Sequence, residues 1–354
     1  MANKKQQSAA ERRVKQRQQR AQRLEGSQNR SQTTTRVNRG GGKMRRRGWK
    51  QSYMVGIVLL LLAVIIVAFV IISNAQSSVP PPTLASKQVF NDVTKVDTNI
   101  LAVVGTGGVQ NPLQSIKGSP PALVGPTGKP EFLYIGAEYC PFCAAQRWAM
   151  IVALSRFGSF SQLYQTTSSA TDVYPSTPTF TFNPKLYKGP VYTSQYVDFV
   201  PVEETGNVAN SSGSYPILQT PTTQQQQLLT TYDAPPYTTA SNAGSIPFVD
   251  IANKFVAIGL GQGFSPQDLA NMQWSAIASS LADDSSAISK HILGSANYLT
   301  AGICIATGQQ PGSVCSTDTI QKIEQTLNKT AVSVKIVPVA LHATLEADVR
   351  KSIW

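Results

Sequence analysis

Nineteen consecutive positions, Met54 to Ile72, carry no charged residue, whereas the fifty positions before them are polar almost throughout. At about 1.5 Å of rise per residue the apolar run reaches roughly 28 Å as a helix, the thickness of one hydrocarbon core. Residues 73–88 then turn polar, with Pro80-Pro81-Pro82 stiffening a linker. Beyond it the runs are shorter. Ile100 to Val104 is apolar and ends in Gly105, Gly107 and Gly108, which predicts a first strand. Asn111 to Pro130 is rich in Pro and Gly and predicts loop. Phe132 to Gly136 is apolar throughout and too short for a helix, so it predicts a buried strand. Ala145, Trp148, Ala149, Val152 and Leu154 recur at helical spacing within Ala144 to Phe157. From Tyr164 to Ser245 Ser, Thr, Pro, Tyr and Gln dominate, predicting a looped insertion with few core residues and one strand at Tyr196 to Val200. Ile246 to Gly259 reads as a hairpin around Ala252-Asn253-Lys254. Ser265-Pro266 starts a helix expected to reach Leu281, followed by helices over Asp283 to Ile305 and Thr319 to Leu327. The order of elements indicates an α/β domain.

Charge sharpens this picture. The net charge of +12 sits in the tail. Sixteen of the 31 Lys and Arg lie in the first fifty positions with two Glu, and the remaining residues hold 15 basic and 17 acidic side chains. Such a tail lacks the apolar residues needed to offset chain entropy, so disorder is expected over residues 1–50. A basic run binds nucleic acid or anionic lipid. Standing directly before an apolar span, with Trp49 and Tyr53 at the interface, it favours lipid over nucleic acid. The positive-inside rule then places the N-terminus in the cytoplasm and the domain after about position 75 outside the cell membrane. A cleaved signal peptide is the alternative reading of the same run, but a secretory apolar region is usually about 7–15 residues long.

The four cysteines, Cys140, Cys143, Cys304 and Cys315, all follow the span, in the compartment where disulfides persist. Only two histidines occur, His291 and His342, both isolated in sequence, and Cys304/Cys315 lack zinc-ligand spacing, so no metal or other cofactor is expected. Trp148 and Trp274 read as packing residues. Cys140-Pro141-Phe142-Cys143 stands between a strand and a helix. That context puts Cys140 at a helix N-terminus, where unpaired N–H groups and the helix dipole stabilise a thiolate, and Pro141 in the first turn, where a missing donor costs nothing. Cys143 lies one turn further in, within reach of a disulfide. Cys304 and Cys315 flank a turn-rich loop that a structural bridge would close, contributing ~3 kcal/mol on chain-entropy grounds; a second redox pair that relays electrons is the alternative.

The segment from Phe132 to Phe157 resembles the active-site strand and helix of the thioredoxin superfamily, and Ile246-Pro247 followed by a hairpin and a helix resembles its cis-proline segment. The stretches Ala137-Glu138-Tyr139-Cys140-Pro141-Phe142-Cys143-Ala144-Ala145-Gln146-Arg147-Trp148 and Ile246-Pro247-Phe248-Val249-Asp250 resemble the archaeal and bacterial domain of unknown function 929 family most closely, with the likeness covering about residues 90–335. The resemblance implies a thioredoxin-like fold, a central mixed sheet flanked by helices, with residues of about 164–245 inserted and 336–354 as an extension. It also implies that Cys140 attacks, Cys143 resolves, Pro247 is cis and faces the pair, and Ile246 guides substrate backbone. The implied activity is thiol–disulfide exchange on extracytoplasmic proteins, with a partner that regenerates the site. A binding protein on the same scaffold, its cysteines locked as structural disulfides, is the competing expectation. Two features depart from the superfamily. Tyr134 stands where thioredoxins place a buried carboxylate, leaving Glu131, Glu138 or water to take the proton of Cys143. And 104 residues separate Cys143 from Pro247, far more than in plain thioredoxins.

Overall fold

The computed structural model describes residues 60–67 and 79–332. Residues 60–67 are helical and exposed. The rest of the Met54 to Ile72 run, the basic tail and the 336–354 extension lie outside the described residues, as does His342. Among the described residues no helix is long and apolar enough to cross a membrane.

In chain order, β1 (Thr83–Leu84) precedes α1 (Lys87–Thr94) and α2 (Thr98–Val104). β2 (Gln114–Ser115) and β3 (Glu131–Gly136) follow, and α3 (Pro141–Ser155) starts four residues after β3 ends. Five strands come next: β4 (Gly158–Phe160), β5 (Tyr164–Thr167), β6 (Pro178–Thr181), β7 (Tyr192–Ser194) and β8 (Asp198–Glu203). α4 (Thr223–Tyr232) leads to the hairpin of β9 (Phe248–Ile251) and β10 (Phe255–Ile258). α5 (Trp274–Ser280), α6 (Ala287–Ala306), α7 (Gly312–Cys315) and α8 (Asp318–Val332) complete the chain.

The central sheet has the order β2-β10-β9-β3-β8. β3 is parallel to β8, with Phe132 beside Phe199, and antiparallel to β9, with Leu133 beside Asp250. Alternation along these strands sends side chains to two separate cores. Phe132, Tyr134, Val249 and Ile251 join α3 and α6 in the larger one. Leu133, Ile135, Val202, Phe248 and Val256 join Leu229 and Tyr232 of α4 in the smaller. The β9–β10 turn is tight because Ala252 and Asn253 both take positive φ, 55° and 57°, and the Lys254 N–H donates back to the Ile251 carbonyl at 2.9 Å, leaving three residues between the strands.

Three expectations are corrected. Ile100 to Val104 is not a strand but most of α2: the Asp97 carboxylate caps the helix by accepting from the Asn99 N–H at 2.8 Å, and Gly105 at φ 59° ends it. The Ser265 to Leu281 helix breaks in two. Pro266–Leu269 is a 3-10 turn and α5 begins at Trp274, because Asn271 at φ 61° leaves the helical region between them. The 164–245 segment is not poor in core. Its β6 delivers Phe180, and Phe182 follows, both fully buried, while β8 forms an edge of the central sheet two residues beyond the expected start. The two faces of β6 differ from a surface strand in one respect: Thr179 and Thr181 are buried too. The Thr179 hydroxyl donates to the Ala144 carbonyl at 2.7 Å and that of Thr181 to the Glu138 carboxylate. His291, isolated in sequence, is satisfied near the surface: its Nδ1 lies 2.9 Å from the Asp268 carboxylate. Trp148 is fully buried and Trp274 half-buried, and their indole N–H groups donate to the Pro178 and Thr179 carbonyls of β6. Cys304 and Cys315 form a disulfide with a Cα–Cα distance of 5.5 Å between the end of α6 and α7.

The smaller core holds an acidic pair that sets a pH dependence. Asp250 is fully buried; one carboxylate oxygen accepts from the Asn253 N–H at 2.7 Å and the other has no partner. Burial above all, with the nearby Glu131, pushes Asp250 up to about 7, and burial with the nearby Asp198 pushes Glu131 up to about 7. A carboxyl raised from 3.8 binds its proton more tightly in the folded than in the unfolded chain, so its contribution is fully present below about pH 4 and is lost as pH rises through about 7. The melting temperature is therefore expected to fall between pH 4.5 and pH 8, Asp250 accounting for a loss on the order of 2–4 kcal/mol. Asp250→Asn keeps the acceptor for Asn253 and removes the charge. Thermal melts across this range should be flatter for that variant; an equally steep fall would assign the dependence to other groups.

Candidate active site

The site is built at the junction of β3 and α3. The strand ends at Gly136, residues 137–139 turn, and Cys140 caps the helix with extended backbone (φ −75°, ψ 121°). Its sulfur accepts from the Cys143 N–H at 3.2 Å, in place of the hydroxyl or carboxylate that usually satisfies a first-turn donor. Pro141 occupies the first turn without loss of a hydrogen bond. Opposite, the Ile246–Pro247 peptide is cis, and the Ile246 carbonyl faces the Cys140 thiol at 3.8 Å. The structure thus brings Cys140, Pro141, Cys143, Ile246 and Pro247 together at the C-terminal end of β3. Both cysteines are free thiols; Cys140 is 5% exposed and Cys143 has no exposure.

The two thiols are not equivalent. Burial opposes ionisation at Cys140, but hydrogen bonds from the Cys143 thiol and N–H, helped by the Arg147 charge, bring it below the ordinary thiol range. Burial and the neighbouring Cys140 push Cys143 well above that range, opposed by Arg147 and by the Ala137 N–H. The start of α3 thus favours the thiolate at the outer sulfur, and burial favours the thiol at the inner one.

Beneath the pair lies an ion pair that the sequence does not announce. Arg147, on α3 one turn beyond Cys143, is completely buried, and so is its partner Glu203 at the end of β8. The guanidinium donates to the Glu203 carboxylate at 2.9 and 2.6 Å and to the Ala137 carbonyl at 3.0 Å. It lies 5.7 Å from the centre of the Tyr134 ring. Glu138, buried beside the Cys140 turn, is pushed up to about 7 by burial and by Glu203, with the Thr181 hydroxyl and Arg147 pulling the other way. Glu131, the other carboxylate in question, opens β3 and faces the smaller core with Asp250, so the strand separates it from the cysteines. Cys304–Cys315 lies apart from the thiol pair, on α6 and α7.

Loops of the 164–245 segment wall the site. The Ser169 N–H donates to the Tyr139 carbonyl at 3.0 Å, and Tyr215 stacks on Tyr139 with ring centres 4.4 Å apart. The Tyr215 hydroxyl donates to Ser169 at 2.7 Å, tying the two loops to each other. Phe142 is 38% exposed and meets the Tyr174 ring edge-on at 5.9 Å. Asp172 is close enough to oppose ionisation of Cys140. Among the described residues no three His, Cys, Asp or Glu side chains converge as a metal would require. Arg147 carries the one signal that composition could have given: a charge inside a helix whose other faces are apolar needs a buried partner. Nothing in the sequence points to Glu203, 56 residues away, or to Asp172.

Comparison with curated proteins and with solved structures yields no match. Residues 116–305 match the family described as a domain of unknown function, DUF929, a stretch that takes in Cys140, Cys143, Arg147, Glu203 and Pro247. With more than half of its length matched, and the whole thiol site inside the match, the chain belongs to the DUF929 family.

Proposed function

We propose that the protein is a thioredoxin-like thiol–disulfide oxidoreductase, anchored in the cell membrane and acting on extracytoplasmic protein thiols and disulfides. The observation that carries this reading is the inequality of the two thiols: Cys140 at the start of α3 with lowered proton affinity, Cys143 buried behind it with raised affinity. In exchange, the Cys140 thiolate attacks a protein disulfide, one substrate sulfur departs as a thiolate, and Cys143 then attacks Cys140 to release the other. Pro247 and Ile246 border the space in which that substrate would lie, and Pro141 and Phe142 form its other edge. The stacked Tyr139 and Tyr215 and the loop around Tyr174 wall the same opening and are suited to partner choice. The uncharged Met54 to Ile72 run and the basic tail support the anchor, with anionic lipid as the tail's partner.

The reading is tested by the reduction potential of Cys140/Cys143. The full chain in detergent is equilibrated with glutathione buffers, and alkylated thiols are counted by mass. An exchange enzyme is expected to poise the pair between about −120 and −270 mV, the higher part of the range marking an oxidant or isomerase and the lower part a reductase. A pair that stays oxidised below about −300 mV is structural, and the protein is then a binding scaffold rather than an enzyme.

A further inference from the structure

Two buried donors beside Cys143 have no acceptor. The Tyr134 hydroxyl is completely buried and makes no hydrogen bond, and the Nη1 of Arg147, also buried, makes none. Leaving such groups unpaired is ordinarily destabilising, more so where the donor is charged. Here two occur close together, with the guanidinium carbon 5.7 Å from the centre of the Tyr134 ring. The remaining Arg147 nitrogens are fully used: Nε and Nη2 hold Glu203, and Nη2 also holds the Ala137 carbonyl. The Tyr134 hydroxyl lies over Gly136, where a Cβ would collide with it and would approach the Cys143 sulfur to 3.1 Å. The absent side chain at Gly136 thus leaves the phenol and the sulfur facing the same small space. Arg147 stands four residues after Cys143 on α3, on the same helix face.

We infer that the Tyr134 hydroxyl and the free Nη1 of Arg147 are donors held for a thiolate on Cys143, completing a cradle begun by the Ala137 N–H. A protonated Cys143 offers them only a weak sulfur acceptor, so they are unpaired in the reduced resting state. They gain a charged acceptor when Cys143 ionises to resolve a mixed disulfide. This assigns Tyr134 and Arg147 the work of lowering the energy of the resolving thiolate by donation, with no carboxylate base against the sulfur. The step balances without a further reagent. The Cys143 thiolate forms the bond to Cys140, the bond between Cys140 and the substrate sulfur breaks, and the substrate leaves as a thiolate. The proton shed by Cys143 passes to solvent or to that departing sulfur. Within the pair both sulfurs are oxidised, and the substrate disulfide, now two thiols, is reduced.

The inference rests on the exchange chemistry proposed above, and its test separates the two. Full-length protein in detergent is loaded at Cys140 with the coloured thionitrobenzoate group, and release of the coloured thiolate reports attack by Cys143. Tyr134→Phe keeps the ring and removes only the oxygen. It is expected to slow release about tenfold at neutral pH and to move the rate-against-pH curve about one unit upward, while the melting temperature stays level or rises. Release within twofold of the unsubstituted protein, at whatever melting temperature, overturns the role of Tyr134: the hydroxyl would be a buried liability and nothing more. If the unsubstituted protein itself fails to release the group, Cys143 does not resolve, and the exchange reading falls with the cradle.

Discussion

Cys143→Ser protein recovered from oxidising conditions is expected to carry other proteins in disulfide linkage to Cys140, and Cys140→Ser protein to carry none and to have exchange activity reduced to background. The asymmetry follows from the place of each sulfur. Cys140 is the only one of the two with any exposure and the one whose thiolate the start of α3 favours. Without Cys143 the mixed disulfide has no internal exit. Serine at 140 is itself a strong helix cap, so it replaces the acceptor for the Cys143 N–H and spares the fold. Loss of activity in that variant is therefore a loss of chemistry rather than of structure. Separation of the two variants on non-reducing gels, followed by mass identification of the adducts, checks both halves. Equal adducts, or none with exchange undiminished, would remove Cys140 from the mechanism.

Arg147→Met should destabilise the domain by about 3–5 kcal/mol, since it leaves the Glu203 carboxylate charged and unpaired in a site without exposure. For a domain of this size that corresponds to a fall of roughly 10 °C in melting temperature. Glu203→Leu strands the guanidinium and should cost a similar amount. The double change Arg147→Met/Glu203→Leu removes both charges and is expected to recover most of the loss, because the desolvation cost of the pair disappears along with its attraction. Thermal melts of the four proteins close the cycle. Single variants that melt within about 1 kcal/mol of the unsubstituted chain would mean that water reaches the pair. If the double variant is stable but resolves slowly, the ion pair is retained for the cysteines and not for the fold.

What the sequence made legible was local. Strand, turn, capping cysteine and helix follow one another from Phe132 to Phe157, so period, cap and Pro141 could be read in one pass, and β3 and α3 lie there. The β9–β10 hairpin was equally plain, since its turn residues and both strands are contiguous. The mixed five-stranded sheet was foreseen in kind, and its edge strand β8 overlaps the strand expected at Tyr196 to Val200, but the Ser, Thr and Gln content of the surrounding stretch suggested loop with few core residues. That suggestion failed because threonine is polar only until its hydroxyl finds a partner: Thr179 and Thr181 lie in the interior on hydrogen bonds to α3 and to Glu138. Ile100 to Val104 misled for the opposite reason. Its apolar residues suit a strand by type, and the helix is fixed by Asp97 and Gly105 at its ends. In the site, the cysteines, Pro247 and Glu138 could be named from spacing and resemblance. The Arg147–Glu203 pair could not, as it joins elements that only the folded sheet brings side by side.

Gly136 gives the site a hereditary constraint. Any side chain there would run into the Tyr134 ring and its hydroxyl, and the sulfur of Cys143 closes the remaining side. Position 136 therefore cannot gain a side chain while position 134 keeps its tyrosine. A larger residue at 136 is open only to a descendant that has first given up the tyrosine, so the order in which substitutions arrive, and not merely their sum, decides which lineages keep a working thiol pair.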